Sequence, residues 1–160
     1  MNLQLTQVPI AEAGMLIRKP VAKVFEAFVD PAITTRFWFT KSTGRLEAGK
    51  RVTWTWEMYN HSVEVEVKAI EVNKRILIDW GNYESMTSVE WIFTPYEGDK
   101  TYVTIKNSGF KGEGDKVVSD ALESKGGFTW VLAGLKALLE YNVELNAIVD
   151  AFPQGLESNH

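Results

Sequence analysis

The period of the apolar positions changes along the chain, and each change marks an element. Residues 13–18 read as a first strand, after which Pro20 fits the first turn of a helix, VAKVFEAFV, with Val21, Val24, Phe25 and Phe28 at 3.6-residue spacing. Asp30-Pro31 restarts the chain as a second short helix over about residues 31–36. There the Asp carboxylate accepts from free N–H groups, and Pro stands where no N–H is needed. From Phe39 the period becomes two. Val52, Trp54, Trp56 and Met58 alternate with Arg51, Thr53, Thr55 and Glu57, and Val63, Val65, Val67 and Ala69 alternate with Glu64, Glu66 and Lys68. Tyr59-Asn60-His61 turns between these runs, so they predict an antiparallel hairpin. Ile70 and Val72 are apolar in the opposite parity, which places a bulge or the strand's end near Ala69-Ile70. Three further strands are predicted at 75–80, 87–95 and 100–107, the last two joined by Glu97-Gly98-Asp99. The stretch 107–115 reads as a Gly-rich loop. Beyond it Phe128, Val131, Leu132, Leu135, Leu138, Leu139, Asn142, Leu145 and Val149 form a helical stripe, predicting one long helix that Phe152-Pro153 stops.

These elements predict an α+β fold in a single domain over 1–160, with its core at about 12–152 and a tail at 153–160. An antiparallel sheet of about six to seven strands has one apolar face, and only the last helix is long enough to cover it. A twisted sheet curls, and a helix about 10 Å across does not fill its concave face. Trp54, Trp56, Trp80 and Trp91 share the inward parity, while Trp38 and Phe39 stand where the short helices meet the sheet. Indoles in that space suit a pocket for a flat apolar molecule, and they suit a filled core equally well.

Composition narrows the chemistry. Apolar residues make up 45% and charged residues 24% of the chain, which excludes a disordered or collagen-like polypeptide. A net charge of -4 excludes a basic nucleic-acid surface. With no cysteine there is no disulfide, thiolate nucleophile or iron–sulfur site, and two histidines, His61 and His160, are too few for a His-rich metal centre. The start MNLQLTQVPIAEAG does not read as a secretory signal, so a cytoplasmic location is expected. Phe128–Leu139, the longest apolar stretch, is broken by Gly134 and Lys136 and falls short of the roughly 18 residues of a membrane span. No membrane association, metal or other cofactor is expected.

No catalytic signature emerges. Glu57, Tyr59, His61, Asp79 and Arg36 are the titratable residues near the expected pocket mouth. Glu57 and Asp79 alternate with apolar neighbours and should face solvent, and His61 falls in a turn, either exposed or as an acid–base group at the mouth. Arg36 either caps helix carbonyls or holds an anionic head group. Asn142 and Asn146 fall on or near the apolar stripe of the last helix, where each would bond a ligand or the sheet. Glu64, Glu66 and Lys68 form a solvated charged face.

The segment PVAKVFEAFVDPAITTRFWF at 20–39, with Pro20, Val24-Phe25, Asp30-Pro31 and Phe37-Trp38, resembles the opening of the SRPBCC or START-like superfamily, the birch-pollen-allergen-like helix-grip proteins. With GGFTWVLAGLKALLE at 126–140 it is most similar to the branch of activators of heat-shock-protein ATPase, the Aha-type proteins. Gly127-Phe128 stands where the commoner pattern has Gly-Trp, with Trp130 two places on. The resemblance implies a curved sheet wrapped around a C-terminal helix, enclosing an apolar cavity for lipids, sterols, polyketides or flavonoid-like compounds. The expected cavity residues are Trp38, Trp54, Trp56, Trp80, Trp91, Phe93, Phe128, Leu132 and Asn142, with Arg36, Glu57, Tyr59 and His61 at a polar mouth. The leading expectation is binding of a planar hydrophobic small molecule by a monomer or homodimer. The alternatives are a polyketide cyclase or dehydratase and a chaperone-binding module.

Overall fold

The structure, a computed structural model, describes residues 4–156; His160 and the tail beyond Leu156 lie outside the described residues. In chain order the elements are β1 (Ala11–Ile17), α1 (Val21–Val29), α2 (Pro31–Thr34), β2 (Lys41–Ser42) and β3 (Arg51–Trp56). A single 3-10 turn at Glu57–Tyr59 leads into β4 (His61–Glu71), β5 (Arg75–Trp80), β6 (Thr87–Tyr96) and β7 (Lys100–Ser108). α3 (Gly114–Tyr141) and α4 (Ala147–Ala151) follow. The strands form one antiparallel sheet of seven in the order β1-β7-β6-β5-β4-β3-β2. Its inner face, α1 and α3 share one core.

The sequence pattern accounts for most of this. The β3–β4 register pairs Trp54 with Val63 and Trp56 with His61, so the alternating large residues lie on one face. Register shifts between Val67 and Ala69, a bulge at Lys68 that restores Ile70 to the parity of its buried partner Ile76. Asp30 caps α2 through Oδ1, which accepts from the Ala32 N–H at 3.0 Å. α2 is shorter than expected: it ends at Thr34, whose buried hydroxyl donates back to the Ala27 carbonyl at 2.5 Å and ties α2 to α1.

The C-terminal helix departs from expectation at both ends. It begins at Gly114, inside the stretch read as loop, because Val117 and Ala121 already pack into the protein. Gly126-Gly127 interrupts the apolar stripe that would have shown this continuity. It ends at Tyr141 rather than near Val149, because Asn142 takes the left-handed conformation at φ 53°. The Asn142 N–H bonds the Leu138 carbonyl at 2.9 Å, and the Val143 N–H bonds the Ala137 carbonyl at 3.2 Å. Asn142, Leu145 and Val149 therefore do not continue a stripe on this helix, and the chain turns back through Asn146, φ 55°, into α4.

α3 also closes one sheet edge. The Lys125 ammonium donates to the Glu12 carbonyl at 2.5 Å and Lys136 to the Leu16 carbonyl at 3.3 Å, while the Arg18 N–H donates to the Glu140 carboxylate at 2.9 Å. Polar positions along α3 thus occupy two carbonyls of the edge strand β1 and the N–H just beyond it, on an edge that would otherwise be a template for another strand. Gly134 allows the close approach that seats the helix: a Cβ there would lie 3.2 Å from the Phe37 carbonyl oxygen. Among the described residues no helix is long and apolar enough to cross a membrane.

Candidate functional site

The inward face of the sheet divides into a packed interior and an open mouth. In the interior Trp38 is a hub, with ring centroids 4.9 Å from Trp54, 5.5 Å from Phe39, 5.7 Å from Phe128, 5.9 Å from Trp80 and 6.1 Å from Trp91. Phe39 stacks on Trp54 at 4.6 Å and 15°. Phe25 and Phe28 of α1 meet Phe93 at 5.3 and 6.0 Å. Trp38, Trp54, Trp56, Trp91, Phe93, Phe128 and Leu132 are all buried, so much of the expected cavity is filled by the rings expected to line it. Among the described residues the buried Trp91 indole N–H has no hydrogen-bond partner, a cost of about 1–3 kcal/mol.

Space remains at the end of the sheet where β5, β6 and β7 meet the middle of α3. One cavity of about 210 Å³ is lined by Trp38, Trp80, Asn107, Ser124, Gly127, Phe128, Val131, Ile148 and Phe152. A second, of about 270 Å³, is lined by Trp56, His61, Val63, Trp80, Gly81, Ser85 and Thr87. Trp80 belongs to both, and it alone of the inward-facing sheet indoles is not fully buried. Neither lining contains Lys, Arg, Asp or Glu.

A hydrogen-bonded chain runs through this mouth. The Trp80 indole N–H donates to Thr87 Oγ1 at 3.1 Å, and Asn107 Nδ2 donates to the same oxygen at 2.9 Å and to the Ser88 carbonyl at 2.8 Å. The Ser124 hydroxyl donates to Asn107 Oδ1 at 2.8 Å. Asn107 is 3% exposed, so these bonds fix a buried amide that would otherwise be costly. Sequence reasoning passed over Thr87, Asn107 and Ser124. The signal was available for two of them: Asn107 continues the inward parity of Val103 and Ile105, and Thr87 that of Val89 and Trp91.

The expected polar mouth residues are distributed differently. His61 begins β4 rather than sitting in a turn; it lines the larger cavity with its ring 6.0 Å from Trp56. The Tyr59 hydroxyl donates to the Phe152 carbonyl at 2.7 Å and tethers the end of α4, whose Ile148 and Phe152 border the smaller cavity. Burial pushes the Tyr59 phenol above its ordinary value. Glu57 is exposed, and its backbone N–H donates to the Thr40 hydroxyl at 2.9 Å. Asp79 accepts from the Ser88 hydroxyl at 2.6 Å on the convex side, as its parity required. Arg36 and Asn142 lie away from the mouth, in an outer groove of about 540 Å³ with Ala22, Lys23, Glu26, Ile33, Leu138 and Leu139. Arg36 stands 3.8 Å from Glu144 there, a solvent-exposed pairing. Asn142 is therefore a helix terminator and not part of the space between sheet and helix. Among the described residues no three His, Asp or Glu side chains gather as metal ligands.

A curved antiparallel sheet holding a long helix, with a residual cavity at one end, defines a helix-grip protein. Residues 18–140 match the family described as activator of Hsp90 ATPase homolog 1-like protein, and the chain belongs to that family. A Staphylococcus saprophyticus protein of known structure is 31% identical, with 86% of this chain and 96% of that one aligned at a TM-score of 0.74. The Aha1 dimer of Colwellia psychrerythraea shares the fold at 16% identity, 83% and 97% coverage and a TM-score of 0.72. So does an HSP90 activator of Plasmodium falciparum, at 17% identity, 82% and 96% coverage and a TM-score of 0.65. No curated protein matches the sequence.

Proposed function

We propose that the protein binds a neutral, flat, hydrophobic small molecule at the mouth between β5, β6 and α3. The observation that carries this reading is the pair of uncharged cavities on either side of the Trp80–Thr87–Asn107–Ser124 chain. Aromatic walls with a few fixed polar groups are the usual make-up of a small-molecule pocket. A charged ligand would meet no Lys, Arg, Asp or Glu in either lining, which disfavours fatty acids and amines. Polyketide cyclase chemistry receives less support, because His61 of the larger cavity is the one acid–base side chain in the two linings, Glu57 lines neither, and the Tyr59 hydroxyl is bonded to the Phe152 carbonyl. An amide NMR titration with matched neutral and carboxylated aromatics tests the reading. Saturable shifts at Trp80, Thr87, Asn107 and Phe128 with the neutral compounds alone are expected. Shifts confined to the outer groove, or none, would overturn it.

A chaperone partner is the second reading, supported by exposed Val118, Leu122 and Trp130 on α3 and by the activity named for the family. Stimulation of a purified Hsp90 ATPase, lost in Trp130→Glu, would establish it. An unchanged ATPase rate would remove it.

A further inference from the structure

We propose that Trp80 is a movable partition: the ligand enters by displacing its indole, joins the two cavities, and takes over its hydrogen bond to Thr87. The ligand class this selects is a neutral, flat aromatic carrying a hydroxyl group on its edge. The inference rests on the small-molecule reading above and adds to it how the site opens and which group it recognises.

Size comes first. Each cavity, at about 210 and 270 Å³, is below the roughly 300 Å³ at which ligand pockets begin, while the two joined exceed it. Trp80 is the residue they share. Its backbone is held between Val65 and Thr87 as the last residue of β5, so the motion required is a rotation of the side chain alone. Its ring is partly exposed and leans on Phe128 at 5.8 Å and Trp38 at 5.9 Å, whereas Trp38, Trp54 and Trp91 are enclosed. A single neutral hydrogen bond of 3.1 Å fixes its indole N–H.

The acceptor of that bond does not depend on Trp80. Thr87 Oγ1 is held by Asn107 Nδ2, and Asn107 is held in turn by the Ser88 carbonyl and the Ser124 hydroxyl. When the indole leaves, the oxygen stays in place and lacks one donor, a deficit an incoming O–H group restores. Thr87 Oγ1 accepts from both Trp80 and Asn107, and among the described residues its own proton has no acceptor. The same oxygen can therefore either accept from a ligand hydroxyl or donate to it, two ways of pairing where an N–H group offers one and a hydrocarbon edge none.

The test uses 2-naphthol, naphthalene and 2-naphthoate as probes, with calorimetric affinities and the tryptophan indole N–H resonances as readouts. For the unaltered protein we expect 2-naphthol to bind about tenfold more tightly than naphthalene, the scale of one hydrogen bond. We expect the Trp80 indole N–H resonance to move on binding and 2-naphthoate to be rejected. Thr87→Val should erase the preference and bind naphthalene several-fold more tightly, because the indole then gives up no hydrogen bond when it moves. Trp80→Ala should bind both neutral probes several-fold more tightly. Should that variant not fold, Trp80→Phe keeps an aromatic ring, frees the Thr87 oxygen, and should favour 2-naphthol further. Equal affinities for the two neutral probes in both the unaltered protein and Thr87→Val, with a stationary Trp80 resonance, would overturn the partition while the binding reading stands. Failure of every probe to bind the unaltered protein and the Trp80 variant that folds would overturn both.

Discussion

The interior and the mouth of the sheet's concave face use the same residue type to opposite ends. Around Trp38 the indoles are buried against one another, and Trp38 borders one cavity, whereas at the mouth Trp80 is partly exposed, touches the cluster with one side and borders two. What changes between the regions is the company along each strand. The inward run Val103-Ile105 ends in Asn107, and Trp91-Val89 ends in Thr87. A strand that stays apolar closes into core, and one that turns polar at its last inward position leaves a place where fixed hydrogen-bonding groups meet empty space.

The largest effect that would sharpen the contrast is on stability. Trp38→Ala removes the ring that six aromatic neighbours pack against and should cost about 3–5 kcal/mol by urea denaturation. Trp80→Ala should cost less than half as much, since its ring is partly exposed and its neighbours also pack on Trp38. Equal losses would dissolve the distinction between interior and mouth.

Acid should act on the other side of α3. Burial opposes ionisation of Glu140, but the Arg18 N–H and the Lys136 ammonium at 2.6 Å outweigh it and hold the carboxyl below its usual 4.5. Its folded value is the lower one. The contribution is therefore complete above about pH 4.5 and disappears as pH falls through the folded value. Glu140→Gln should lose about 1–2 kcal/mol at neutral pH and show a flatter fall of the urea midpoint below pH 4.5, with the mouth residues' chemical shifts unchanged. A parallel acid profile in the two proteins would discard Glu140 as the source.

A smaller and more local effect is expected where α4 borders the mouth. Tyr59→Phe removes the donor to the Phe152 carbonyl and should cost about 1 kcal/mol. Hydrogen exchange should quicken at 147–152 while the β6–β7 amides keep their protection. Uniform acceleration would mean that Tyr59 supports the whole fold rather than this corner.

Elements set by neighbouring residues were legible in the sequence: the alternation of β3 to β7, the α1 stripe, the Asp30 cap and the bulge, which fell at Lys68 beside the expected Ala69. The limits of α3 were not, because Gly126-Gly127 breaks the stripe and Asn142 ends the helix in mid-pattern through a single positive φ. Parity correctly turned the indoles inward, yet whether they line a cavity or fill it depends on how closely α1 and α3 approach, a matter of Gly134 and Phe37 at long range. The mouth was half legible. Thr87 and Asn107 kept the inward parity, while Ser124 and the Tyr59 contact with α4 join residues far apart in the chain.

The central claim is that the space beside Trp80 is the binding site, and Gly127 offers the most direct test of it. A Cβ built at Gly127 meets nothing within 4 Å, although the residue lines the smaller cavity and sits within α3. Gly127→Leu should therefore fill the cavity and raise the melting temperature slightly, because leucine favours the helix by up to about 1 kcal/mol over glycine. Comparing 2-naphthol affinity and melting temperature in the two proteins gives the decision. The account predicts at least a tenfold loss of binding in a variant as stable as the parent or more so; undiminished binding by that variant would contradict it.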